Sequence, residues 1–286
     1  MTRLRKFGVF MLLLATAWAP AQTFKFTAIP DQDTARLQQR FNQVAAYLSK
    51  ELGVTVTYIP VKSYGASVAA FKNDQVQLAW FGGLSGVRAR RAVPASTAIA
   101  QGQEDLGFVT YFIAHHDTGI AQSEQFPTAI RDLSFTFGSK GSTSGRLMPE
   151  YYLRKHLGDA PQKVFKRVGF SGDHSKTIAL VQSGAYQVGA VNFKVWETEL
   201  KEGKIDPAKV HVIWKTPTYP DYNWSIRGDV DSKFGKGFTE KVTKALLAMS
   251  TPELLAAFPR AAFIPADNSM YQPILNTAME IGLIDR

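Results

Sequence analysis

The chain has 286 residues, a formal net charge of +9, no cysteine and 45% hydrophobic residues. Without thiols it has no disulfides, thiolate metal sites or lipid anchor on cysteine. The basic residues are scattered without aromatic interleaving, which argues against a nucleic-acid surface, and no basic amphipathic helix points to a membrane surface.

In chain order, Arg3, Arg5 and Lys6 precede an apolar run over residues 7–18 and then Ala19-Pro20-Ala21. This is the pattern of a secretory signal peptide, with cleavage expected after Ala21. The apolar run is too short to span a bilayer. Removing 21 residues leaves 265 and lowers the net charge to +6, which suits an anionic partner through long-range steering. The mature chain is expected to be exported and soluble, and it is long enough for two lobes.

Residues 24–29 alternate as a first strand. Leu37, Phe41, Val44, Leu48 and Leu52 then recur at helical spacing, with Gly53 placed to end the helix. Residues 54–59 form a second strand, Tyr64, Val68 and Phe71 a short helical face, and residues 78–81 a third, buried strand ending in Gly82-Gly83. Strand and helix in this rhythm predict a parallel sheet with crossover helices. Residues 108–113 read as a strand crossing into a second lobe. There the rhythm repeats: strand 133–137, a helix from about Ser144, a strand near 164–168, a helix over 174–181, a strand at 188–191 and a helix near Trp196. Residues 210–214 read as the return crossing, and helices near 238–249, 252–258 and 270–281 are expected to pack on the first lobe. The expected division is residues 22–112 with 218–286 as the first lobe and 113–217 as the second. It is an α/β fold with a two-strand hinge and an interlobe cleft, where open α/β sheets place their ligands.

Gly138-Ser139-Lys140-Gly141-Ser142-Thr143-Ser144-Gly145 follows a strand and runs into a helix. At such a turn the first backbone amides lack partners and the helix dipole is positive, so the turn can hold an anion. The plainer reading is that Ser142 or Thr143 only caps the helix. A nucleophile elbow would require serine at 143, where threonine stands. His115-His116-Asp117 does not read as a metal site, because adjacent residues on a strand face opposite ways. No cofactor is expected.

Several segments together resemble the phosphate/phosphite/phosphonate-binding family of periplasmic solute-binding proteins of ABC importers, which have the two-lobed type II fold. They are Gln77-Leu78-Ala79-Trp80-Phe81-Gly82-Gly83-Leu84-Ser85, the Ser142-Thr143-Ser144-Gly145 turn with Pro149 and Tyr151-Tyr152, and Ile213-Trp214-Lys215-Thr216-Pro217. Phe263-Ile264-Pro265 and Tyr271-Gln272-Pro273 extend the similarity almost to the end of the chain. The resemblance implies that Tyr64 and Phe81 line the first-lobe side. It also implies that Ser142, Thr143 and Ser144 hold anion oxygens and that His174 opens the next helix beside them.

The sequence departs from the family in one respect. The aminoalkyl-phosphonate binders of the family place a glutamate two residues after an asparagine, whereas Asn192 is followed here by Phe193 and Lys194. A second family acid falls near Asp221. The resemblance therefore implies a compact oxyanion of the phosphite, phosphonate or phosphate type, or selenate as in a selenate-binder subgroup. Tyr64, His174 and Lys194 would be the further donors, and an ABC permease the partner. A sensor that docks on a receptor, or a serine-dependent hydrolase using Ser144, His174 and Asp221, would be the other ways to use these residues.

Overall fold

The computed structural model describes residues 22–285; the expected signal peptide lies outside them. Strand β1 (Phe24–Ala28) is followed by helix Thr34–Leu52. The helix buries Leu37, Phe41, Val44, Leu48 and Leu52, the residues whose spacing predicts it. Asp33 caps it by accepting the amide of Arg36 at 3.0 Å, and Gly53 ends it at φ 69°. Strands β2 (Val56–Tyr58) and β3 (Leu78–Phe81) both run parallel to β1. Between them lies helix Tyr64–Lys72, and after β3 comes helix Gly83–Ala92. A further strand, β4 (Thr97–Gly102), completes this stretch before the chain leaves the sheet.

The second sheet is built from β5 (Thr110–His115), β6 (Ser134–Phe137), β7 (Arg167–Phe170), β8 (Val188–Asn192) and β9 (Val210–Lys215). Its order is β7-β6-β8-β5-β9. The chain then returns to the first sheet with β10 (Asn223–Ile226) and β11 (Phe263–Pro265), giving the order β11-β4-β10-β3-β1-β2. In each sheet a parallel trio is followed by an antiparallel strand at the crossing, β10 or β5, and then by a strand running with the trio, β4 or β9; the first sheet adds β11, antiparallel to β4. The two crossings lie side by side, where Phe108 and Tyr219 exchange backbone hydrogen bonds of 2.9 and 3.0 Å. No helix of the described residues is long and apolar enough to cross a membrane.

Three expectations are corrected. The boundary after residue 112 lies too late, because Thr110, Tyr111 and Phe112 pair with Asn192, Val191 and Ala190 of the second sheet. The strand expected near 164–168 is β7 at 167–170, because Pro161–Val164 forms a helical turn first. Strands β4 and β10 were not expected: both are short and buried on nearly every residue. In β10 the polar Asn223 and Ser225 alternate with Trp224 and Ile226, and all four are buried.

Candidate functional site

The loops after the parallel strands of both sheets meet between the lobes. From the second lobe comes the turn after β6. Ser142 caps the helix that follows, accepting the amide of Gly145 at 2.9 Å. Thr143–Leu147 is a π-helical turn, with Leu147 donating to the Ser142 carbonyl at 3.0 Å, and an α-helix runs on over Met148–Leu157. Such π turns recur at functional sites. Gly145 is needed there, because an added Cβ would lie 3.0 Å from His174 Cε1 and 3.1 Å from Ser142 Oγ. The amides of Thr143 and Ser144 open the helix, where it supplies no acceptor of its own. Ser142, Thr143 and Ser144 are all buried.

His174 starts the helix after β7, capped by Asp173, and is fully buried. Its Nδ1 accepts the backbone amide of Asn192 at 3.2 Å, which places the ring proton on Nε2, 3.5 Å from Ser144 Oγ. Burial pushes its pKa down to about 3, so the ring is neutral. It thereby serves as a fixed donor beside the serine.

The first lobe supplies the opposing wall. The amides at the start of helix Gly83–Ala92 point into it. Gly83 N donates to Asp221 Oδ1 at 2.8 Å, and Leu84 N donates across the cleft to Thr143 Oγ1 at 3.0 Å. Asp221 is buried with Oδ2 unpartnered, and burial pushes its pKa up to about 7. Tyr64 opens helix Tyr64–Lys72, is 2% exposed, and has no hydrogen-bond partner for its hydroxyl. Burial, with the nearby negative Asp31, keeps that hydroxyl protonated. Buried polar groups left unpaired by the protein are rare, and two of them, the Tyr64 hydroxyl and Asp221 Oδ2, belong to this wall.

Asp31 and Tyr222 were missed as site residues. The Asp31 carboxylate accepts the Tyr222 hydroxyl at 2.9 Å, and that hydroxyl accepts Asn192 Nδ2 at 2.9 Å from the other lobe. His174 N also donates to the Asp31 carbonyl, at 3.0 Å. Burial pushes the Asp31 carboxyl up to about 6. The available signal was its place in the polar loop after β1.

Three expected residues lie differently. The Phe81 ring packs edge-on against Phe71 at 5.6 Å in the core. Asn192 donates from Nδ2 to Tyr222 and accepts the amides of Lys194 and Val195 on Oδ1, which fixes its side chain between the helix it caps and the first lobe. Lys194 stands 3.9 Å from Glu104 and 3.6 Å from Glu197, and 5.0 Å over the Phe193 ring. The cause is that Asn192 caps a helix, so residue 194 lies in its first turn and does not continue a strand into the cleft.

A family model described as ABC transporter, phosphonate, periplasmic substrate-binding protein matches residues 26–271. The chain belongs to this family. It is thus of the substrate-binding type that serves ABC transporters in the periplasm, with the two-lobed α/β fold. It is 39% identical over 283 residues to the probable ABC transporter phosphite binding protein PhnD1 of Prochlorococcus marinus, an alignment covering 96% of this chain and 95% of that protein. The structure of PhnD1 in complex with methylphosphonate superposes with a TM-score of 0.86 over 92% of this chain and 99% of the other. The phosphonates-binding periplasmic protein of Escherichia coli is 27% identical over 221 residues, 73% of this chain and 64% of that one. These relatives carry phosphite and phosphonate in their names, and the selenate-binder subgroup gains no support from them.

Proposed function

We propose that the cleft binds a small, proton-bearing phosphorus oxyanion of the phosphite or methylphosphonate type and delivers it to the permease of an ABC importer. Asp221 carries this reading. Its carboxyl is buried beside the Thr143 hydroxyl, one oxygen is unpartnered, and its pKa is pushed up to about 7. Such a group can share a proton with a partly protonated phosphite or phosphonate, whereas it repels fully ionised sulfate or selenate. The remaining oxygens would meet the hydroxyls of Tyr64, Ser142, Thr143 and Ser144 and the amides of Thr143 and Ser144. Each hydrogen bond to a charged group contributes about 1.5–3 kcal/mol, and association costs about 4–15 kcal/mol, so donors from both lobes are required. The name of the 39% identical relative supports the same ligand class.

Binding without turnover is part of the proposal. A hydrolase would need His174 as a base oriented by a carboxylate, but Nδ1 takes the Asn192 amide and Nε2 carries the proton. The Arg3, Arg5, Lys6 and Ala19-Pro20-Ala21 pattern supports export through a cleaved signal peptide, and the protein is proposed to act as a monomer.

Calorimetric titration with phosphite, methylphosphonate, phosphate, sulfate, selenate and 2-aminoethylphosphonate tests this reading. Phosphite or methylphosphonate should bind at least about tenfold more tightly than sulfate, selenate or the aminoalkyl compound, a difference of about 1.4 kcal/mol or more. Position 194 offers no carboxylate for an ammonium group. Sulfate or selenate as the tightest ligand would overturn the reading.

A further inference from the structure

On the first lobe, away from the cleft, helices Gly83–Ala92 and Gln272–Glu280 flank a pocket of about 180 Å³ walled by Val87, Arg90, Arg91, Asn268, Tyr271 and Leu275. Arg90 sets its chemistry. The guanidinium lies 4.9 Å over the Tyr271 ring, and Nη1 donates to Asn223 Oδ1 at 2.8 Å and Ser225 Oγ at 2.7 Å. Both acceptors are neutral. Among the described residues, Nε and Nη2 find no protein acceptor, and no carboxylate stands within salt-bridge distance.

Several other inward-facing arginines here are matched by carboxylates, whereas the partly buried Arg88 donates to the Leu283 carbonyl at 2.8 Å. Arg260 makes two 2.8 Å bonds to Asp105, Arg227 holds Asp229 at 2.9 and 2.8 Å, and Arg154 holds Glu150 at 3.0 and 2.6 Å. Taking a cation out of water is costly unless it is paired. Burial already pushes Arg90 down to about 10. Gly86 makes room for the arrangement, since a Cβ there would lie 2.9 Å from both Arg90 Nη1 and Asn223 Oδ1.

We infer that this pocket is a second binding site, for a small organic carboxylate with a compact apolar group, held by the Arg90 guanidinium with Arg91 beside it. A guanidinium fork matches a carboxylate in a bidentate manner. Val87, Leu275 and the Tyr271 ring give the wall an apolar side that inorganic anions would leave unused. The site is independent of the cleft, although the two are close: Asn223, which Arg90 holds, donates Nδ2 to the Asp221 carbonyl at 3.3 Å.

The test is an amide-resolved NMR titration of the mature protein with sodium benzoate and sodium butyrate, with sodium phosphate as the inorganic control. A saturable shift at Val87, Arg90 and Leu275 is expected with the carboxylates. It should vanish in Leu275→Trp, which fills the pocket and leaves both arginines in place. It should weaken at least about tenfold in Arg91→Gln, and persist in Ser142→Ala, where the cleft is damaged instead. Arg90→Gln risks the fold because Asn223 and Ser225 lose their donor, so Leu275→Trp is the deciding variant. No saturable shift with either carboxylate, an equal response in Leu275→Trp, or a response to phosphate alone would overturn the proposal. Failure of the oxyanion titration in the cleft would leave this readout untouched.

Discussion

Thr143 and Asp221, on opposite sides of the cleft, accept neighbouring amides at the start of one helix: Leu84 N donates to Thr143 Oγ1 at 3.0 Å and Gly83 N to Asp221 Oδ1 at 2.8 Å. The helix terminus is thus shared between the lobes, and the Thr143 contact ties one to the other. The Thr143 oxygen is used as an acceptor there, which leaves its proton to give.

Thr143→Val keeps the shape and removes the hydroxyl, leaving the Leu84 amide buried and unpaired. The cost is about 1–3 kcal/mol, so affinity for phosphite should fall at least about fivefold. Thr143→Ser keeps the oxygen and should stay within about threefold of the parent, since 1.4 kcal/mol corresponds to a factor of ten. Titration calorimetry on the pair checks this, and an unchanged constant in Thr143→Val places the anion elsewhere.

Tyr64→Phe separates a binding hydroxyl from a core one. That hydroxyl is buried without a partner, so its removal should leave the melting temperature of the anion-free protein unchanged or higher. Affinity should nonetheless fall about tenfold or more, for the loss of one hydrogen bond to a charged group. A drop in melting temperature with affinity intact would make Tyr64 a packing residue only.

Asp221 predicts a pH dependence. Its pKa in the folded protein is raised to about 7 by burial, so the protonated form is available below that value and is lost as pH rises through it. Above about 7 an ionised carboxylate faces an ionised anion, and phosphite affinity should decline. Asp221→Asn keeps an oxygen for the Gly83 amide and removes the titration. The decline should flatten, and preference should shift toward sulfate by about tenfold. A variant with the parent's pH profile and the parent's preference would remove Asp221 from recognition.

Lys194→Gln should change anion affinity by less than about twofold and stability by less than about 0.5 kcal/mol, because its ammonium group pairs with Glu104 and Glu197 in a half-buried position. A tenfold loss of affinity would return Lys194 to the site.

Much of this organisation was legible from local signals. The helical spacing of Leu37, Phe41, Val44, Leu48 and Leu52 and the strand–turn–helix around Ser142 depend on neighbours in sequence. Their backbone geometry follows from short-range sterics and unpaired amides. The order of such segments was enough for the fold class. Strand β4 left no such trace, because a strand buried on both faces has no polar face to alternate with its apolar one, and the alternation in β10 spans only four residues.

The sequence alone determined the two-lobed α/β class, the Ser-Thr-Ser turn at a helix start, and a basic chain bearing the marks of export. Only the tertiary structure decided which polar residues meet. Helix capping by Asn192 turns Lys194 toward Glu104 and Glu197, and packing of β3 on helix Tyr64–Lys72 buries Phe81 against Phe71. The crossings that return the chain to the first lobe bring Asp221 and Tyr222 against Gly83 and Asp31, across sequence separations of 138 and 191 residues. No local pattern encodes such meetings, because the burial that gives Asp221 and Tyr64 their unpaired oxygens arises only when the lobes close on each other.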